Sequence, residues 1–118
     1  MLDEVRLFRS KNDDVTELPL PVPSLSERLL AARQQVLSVA HRHGAHNLRI
    51  FGSVARGLDR PDSDLDLLVD FKEGQSLLET IALRLELERL LGCRIDLAEP
   101  WQLHPRIQKQ VIAEAVPL

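Results

Sequence analysis

The chain has 118 residues, a formal net charge of −3, 44% hydrophobic and 28% charged residues, 3% aromatics and one cysteine. That length supports one compact domain with a single core, and the apolar and charged fractions exclude wholesale disorder. Mild acidity argues against a general nucleic-acid binder, and no run of about 18 apolar residues offers a transmembrane helix. The charged start, Met1 to Asp14, lacks the apolar stretch of a signal peptide, and Cys93 alone makes no internal disulfide. A cytoplasmic protein without membrane or direct nucleic-acid contact is the expectation.

Residues 1–23 read as an N-terminal extension, and residues 24–118 as the folded domain. In the extension, Leu18-Pro19-Leu20-Pro21-Val22-Pro23 alternates prolines that fix φ and remove amide donors, so it reads as an extended linker. Ser24 and Glu27 form a capping box that opens a helix. Leu25, Leu29, Ala32, Val36 and Val39 give that helix one apolar stripe, and Gly44 suits its stop. Leu48 to Phe51 reads as a strand ending at Gly52, Ser53 to Gly57 as one helical turn, and Leu58 to Ser63 as a loop. Leu65 to Phe71 is a strand with an apolar centre. Ser76 and Glu79 form a second capping box before a leucine-rich helix, Leu77 to Leu91, closed by Gly92. Its leucines occupy more than one face, which predicts burial on two sides or contact with a partner. Arg94 to Ala98 reads as a third strand. A last helix begins at Pro105, carries Ile107, Val111 and Ala115 on one face, and is expected to end at Pro117. The fold class is therefore α/β: a three-stranded mixed sheet flanked by about four helices.

The chemistry lies in Ile50 to Gly57 and in Ser63 to Val69. Asp64 and Asp66 are two apart, so on a strand both carboxylates share one face while Leu65 and Leu67 point to the core. Two such charges repel and raise each other's proton affinity, and a divalent cation between them relieves the repulsion. Asp96, between Ile95 and Leu97, adds a third carboxylate if its strand neighbours the second. Such a cluster can hold two metals about 4 Å apart, one lowering the pKa of an attacking hydroxyl, the other steadying a triphosphate. Gly52 lets backbone approach a ligand closely, Ser53 opens a turn whose amides and hydroxyl can hold phosphate, and Arg56 lies on the same turn.

Gly52-Ser53, ten residues, then Asp64-x-Asp66 resembles the nucleotidyltransferase superfamily of DNA polymerase β. More closely, Phe51 to Gly57 and Ser63 to Phe71 are similar to the minimal nucleotidyltransferases called MNT proteins. The similarity continues through Gly92, Ile95-Asp96-Leu97 and Val111 to Val116, and covers about residues 25–118 without a departure from the motif. The resemblance implies transfer of AMP from ATP with two Mg²⁺ ions. It implies that Gly52 and Ser53 hold the triphosphate, that Asp64 and Asp66 bind both metals, and that Asp96 binds the catalytic metal and helps deprotonate the acceptor. Arg56 matches a family arginine at the mouth of the site. It further implies an antitoxin that modifies a tyrosine of a HEPN-domain RNase toxin and assembles with it as a hetero-oligomer. No residues are left over for an acceptor-binding domain, so the acceptor surface is expected from another chain. Two alternatives stand beside this: a non-catalytic antitoxin that masks the toxin by binding, and a nucleotidyltransferase acting on a small molecule such as an aminoglycoside.

Other residues have plainer readings. His41, His43 and His46 read as a solvated helix end, and Cys93 as a small strand residue. Trp101 reads as a packing residue, whose exposure instead would mark a partner surface. Asp70, near the far end of its strand, reads as structural. Arginine outnumbers lysine (Lys11, Lys72 and Lys109 only), a bias that suits phosphate or interface work and equally follows from genome composition.

Overall fold

A computed structural model describes residues 23–118. The linker expected over residues 18–23 lies outside the described residues except for Pro23. Helices α1 (Leu25–Ala31) and α2 (Arg33–Arg42) lead into strand β1 (Ala45–Phe51). Strand β2 (Leu65–Phe71), helix α3 (Leu77–Leu91) and strand β3 (Ile95–Ala98) follow. A 3-10 turn (Pro100–Gln102), helix α4 (Pro105–Glu114) and a two-residue strand β4 (Val116–Pro117) complete the domain.

The sheet order is β3-β2-β1-β4, with β2 and β3 parallel and the other pairs antiparallel. It is mixed, as expected, but has four strands rather than three. The fourth arises because α4 stops at Glu114 and Ala115 turns extended, at ψ 140. Val116 and Pro117 then pair with Ile50 and Arg49. Pro117 lacks an amide donor and sits on the sheet edge, where that lack is tolerated.

The expected first helix is bent into two. The capping box at Ser24 and Glu27 forms. At Ala32 the backbone leaves the helical region (φ −103, ψ 12), yet bonds from Ala32 N to Arg28 O (3.0 Å) and from Val36 N to Ala32 O (2.9 Å) run through the bend. The bend lets Leu25 and Leu29 of α1, and Val36, Val39 and Ala40 of α2, all stay buried. β1 starts three residues earlier than Leu48, because a bulge between His46 and Arg49, with Asn47 at φ 53, carries the pairing back to Ala45.

Helices α1, α2 and α3 cover one face of the sheet. Leu65, Leu67 and Val69 of β2 and Ile95 of β3 meet Leu83, Leu87 and Leu91 of α3 there. Only that stripe of α3 is buried; Leu77 and Leu78 are exposed, so the expectation of burial on two sides fails. Ser76 caps α3 by accepting from Glu79 N at 3.1 Å. The reciprocal half of that box is missing, because the Glu79 carboxylate lies 3.6 Å from His43 Nδ1 instead. Gly92 closes α3 in the left-handed region, at φ 68. α4 buries no residue fully; of the expected stripe Ile107 is exposed while Val111 and Ala115 are half-buried, and Ile112 beside them is exposed.

Candidate active site

Because Leu65, Leu67 and Val69 point into the helix layer, strand alternation places Asp66 and Asp70 on the opposite face, on either side of the fully buried Leu68. Asp64 sits one residue before β2 and is exposed. In the parallel pair, Asp66 lies in register with Asp96, at the spacing of neighbouring strands, roughly 4.8 Å. The sheet thus sets Asp66 beside Asp96, while Asp64 precedes the strand. Asp96 is exposed while Ile95 beside it is buried, so solvent accommodates its charge.

Asp66 is the half-buried member, and its pKa is pushed up to about 6. Burial is the largest cause, followed by the charge and hydrogen bonding of Asp96 and then the charge of Asp64. Arg56 opposes the rise, which places this exposed guanidinium within electrostatic reach. Among the described residues no three His, Cys, Asp or Glu side chains are arranged so that they could hold a metal ion. Asp66 and Asp96 stand side by side instead, with Asp64 near enough for its charge to bear on Asp66. Their oxygens are the donors that a hard divalent cation takes, and the repulsion felt at Asp66 is what such a cation removes.

The Gly-Ser turn abuts these carboxylates. Gly52 follows Phe51, which pairs with Asp66, and adopts φ 77. A Cβ at Gly52 would overlap Asp66 Oδ2, so the glycine both makes the turn and leaves room for the carboxylate. Arg56 N donates to Gly52 O at 3.2 Å, Gly57 N to Val54 O at 3.1 Å and Leu58 N to Ser53 O at 2.9 Å, which makes the expected single turn. Among the described residues, the amides of Ser53, Val54 and Ala55 donate to no backbone carbonyl, as at the start of a helix. Buried Val54 anchors the turn in the core.

The loop from this turn to Asp64 is held by residues the sequence reading did not single out. Asp59 accepts from Ser26 N at 3.0 Å and from Ser26 Oγ at 2.7 Å, and Arg28 Nη2 donates to Pro61 O at 3.2 Å. Ser26 and Asp59 stand 33 residues apart, so no local pattern betrays the pair.

A family model described as a nucleotidyltransferase domain matches residues 32–118. The chain belongs to the nucleotidyltransferase domain family. It is an enzyme of the nucleotidyltransferase kind. Protein adenylyltransferase MntA of Thermococcus cleftensis is 43% identical over 90 residues, covering 76% of this chain and 89% of the relative. A Methanocaldococcus jannaschii protein provisionally named as a protein adenylyltransferase is 37% identical over 84 residues, covering 71% of this chain and 90% of the relative. A solved structure, provisionally described as a minimal nucleotidyltransferase, superposes with a TM-score of 0.71 at 55% identity, covering 79% of this chain and 95% of that one. A toxin–antitoxin structure with AMP-PNP shares the fold, with a TM-score of 0.61 at 17% identity, over 71% of this chain and 69% of that one.

Outside the site, Asp70 accepts from Asn47 Nδ2 at 2.8 Å and pairs with Arg49 at 3.2 Å, which is a structural role at the far end of β2. His43 departs from the solvated reading: it is largely covered and contacts Glu86 Oε1 at 2.9 Å, tying α2 to α3, while His41 and His46 are exposed. Cys93 lies in the bend before β3 rather than in the strand, and burial raises its thiol pKa. Trp101 is 70% exposed and does not pack as expected, because the 3-10 turn that carries it buries no residue. Among the described residues, no helix is long and apolar enough to cross a membrane.

Proposed function

We propose that this chain is a Mg²⁺-dependent adenylyltransferase antitoxin, which transfers AMP from ATP to a tyrosine hydroxyl of a partner HEPN-domain RNase toxin. The observation that carries the reading is the register pairing of Asp66 with Asp96 beside Gly52. The names borne by the adenylyltransferase relatives support AMP as the transferred group and a protein as the acceptor.

In this reading the Ser53 hydroxyl and the free amides of the Gly52-Ser53 turn hold the triphosphate, and Arg56 meets a phosphate oxygen. Asp64, Asp66 and Asp96 hold two Mg²⁺ ions. Bound there, the metal supplies charge neutralisation on the triphosphate and a lower pKa for the acceptor hydroxyl. The acceptor oxygen forms a bond to the α-phosphorus, the bond to the β-phosphate oxygen breaks, and pyrophosphate leaves. Asp96, exposed at the edge of the cluster, takes the acceptor's proton. Gly52 excludes nothing from the carboxylate face, which lets the α-phosphate approach closely.

The test is the intact mass of the protein encoded next to this chain's gene, after incubation with this protein, ATP and Mg²⁺. A gain of one or more AMP units, lost when Asp64 and Asp66 are both replaced by Asn, is the expected result. No gain, together with a stable complex, overturns transfer in favour of masking. One observation favours that second reading: Trp101, Ile107, Ile112 and Val116 present exposed apolar side chains along the C-terminal segment. Protection from the toxin by the double Asn variant, at normal protein levels, decides for it.

A further inference from the structure

The segment that joins the Gly-Ser turn to Asp64 has little core of its own. Leu58 is 66% exposed, and Arg60, Pro61 and Asp62 are exposed too. A segment without buried side chains is held by its hydrogen bonds or not at all. Here they come at regular intervals. Leu58 N bonds Ser53 O, Asp59 takes two bonds from Ser26, Arg28 bonds Pro61 O, and Arg60 N donates to Ser63 Oγ at 2.7 Å while Ser63 N returns to Arg60 O at 3.0 Å.

The Ser26 pair is the strongest of these. A carboxylate that accepts from both an amide and a hydroxyl makes charge-assisted bonds, about twice as strong as neutral ones. The two Ser26 bonds hold the Asp59 carboxyl below its ordinary range. Arg28 extends the grip: it reaches Pro61 O, Pro23 O and the neighbourhood of the Cys93 thiol just before β3. Ser26 and Arg28 belong to α1, which precedes residue 32, where the family match begins.

We propose that Asp59 is a positioning residue of the transfer site: the Ser26–Asp59 bracket, backed by Arg28, fixes the distance between the Gly52-Ser53 turn and Asp64. The inference rests on the nucleotidyl-transfer reading of the site and adds α1 to its machinery. Asp59 does not touch substrate. Asp66 and Asp96 are placed by strand ladders, which survive without the bracket, whereas Asp64 lies before the first residue of β2, where the loop meets the bonded Leu65. A loop released from α1 spends less time in the competent geometry, and apparent affinity falls by that fraction.

The experiment titrates the full chain with Mn²⁺ and a non-hydrolysable ATP analogue by calorimetry, alongside thermal unfolding of each variant. Asp59→Ala is expected to weaken binding of the pair about tenfold, the lower end for outer-shell residues of metal sites. Ser26→Ala weakens it less, since the backbone amide still donates. The double variant binds no more weakly than Asp59→Ala alone, because both changes break one bracket. Asp59→Asn, which keeps one acceptor oxygen, recovers part of the loss. Unchanged affinity with a lowered Tm overturns the proposal and leaves Asp59 a purely structural residue, as does full additivity of the two alanine changes. If Asp59→Ala does not fold, Ser26→Ala decides alone, and wild-type affinity in it overturns the bracket. Wild-type protein that fails to bind the pair overturns the transfer reading itself, whereas binding wild type with unaffected variants overturns the bracket only.

Discussion

Asp66 of β2 and Asp96 of β3 face each other across a parallel strand pair, with Gly52 pressed against the Asp66 carboxylate. Two acids in register on a half-buried surface oppose folding whenever both are charged. The chain retains them where sheet packing alone would favour neutral residues, which is how a ligand site differs from a core.

That opposition is measurable in metal-free protein. The folded Asp66 pKa, about 6, stands above the ordinary aspartate value of 3.8. Stability from the preferred protonated form is therefore complete below pH 3.8 and is lost as pH rises through about 6. Asp66 is half exposed, so solvent screening leaves an effect of about 1 kcal/mol. With a chelator present, Asp66→Asn is expected to gain Tm relative to wild type across this window. Differential scanning at successive pH values reads it, and a constant Tm difference would contradict the assignment.

The same acids carry the chemistry in the proposed function. Asp64→Asn with Asp66→Asn is expected to reduce AMP transfer by at least roughly a thousandfold, the scale of removing a metal's charge stabilisation. Thermal stability should not fall, since neither side chain holds the core. Incorporation of labelled AMP, set beside a melting curve, checks both halves.

Gly52→Ala tests the contact between turn and carboxylate. The new Cβ would overlap Asp66 Oδ2 at a backbone φ of 77, where L residues are strained. A loss of more than about 1 kcal/mol is expected from the backbone alone, and transfer should fall with it because Asp66 must move. Urea unfolding and the transfer assay report the two effects; wild-type values in both would show that the turn is looser than described.

Leu87→Ala is the contrasting case. Leu87 is fully buried on α3, on the helix side of the sheet, away from the carboxylates. A cavity there is expected to cost about 2–5 kcal/mol. Transfer per folded molecule should stay near that of wild type at temperatures well below the variant's Tm. A lowered rate in fully folded protein would mean that the two faces are coupled through β2.

Much of this architecture was legible because its cause is local. The Ser24 box, the span of α3 and its stop at Gly92 follow from neighbours three and four residues apart. The placement of Asp66 opposite Leu65 and Leu67 follows from strand alternation. Gly52-Ser53 followed by Asp64-x-Asp66 carried the family, because one turn and one strand must present these groups at that separation.

What the sequence alone determined, then, was which groups the chain owns and which of them share a turn or a strand face. Tertiary structure decided which of those groups meet. The register of Asp66 with Asp96 depends on β3 pairing parallel to β2. The capture of Asp59 by Ser26 depends on α1 folding back over a loop 33 residues away. The fourth strand exists only because β1 offers its edge to Val116 and Pro117. The exposure of Trp101, Ile107 and Ile112 depends on nothing in the described domain covering them. Local periodicity fixes directions along an element, but contacts between elements are set by how whole faces pack, and no short window of sequence contains both partners.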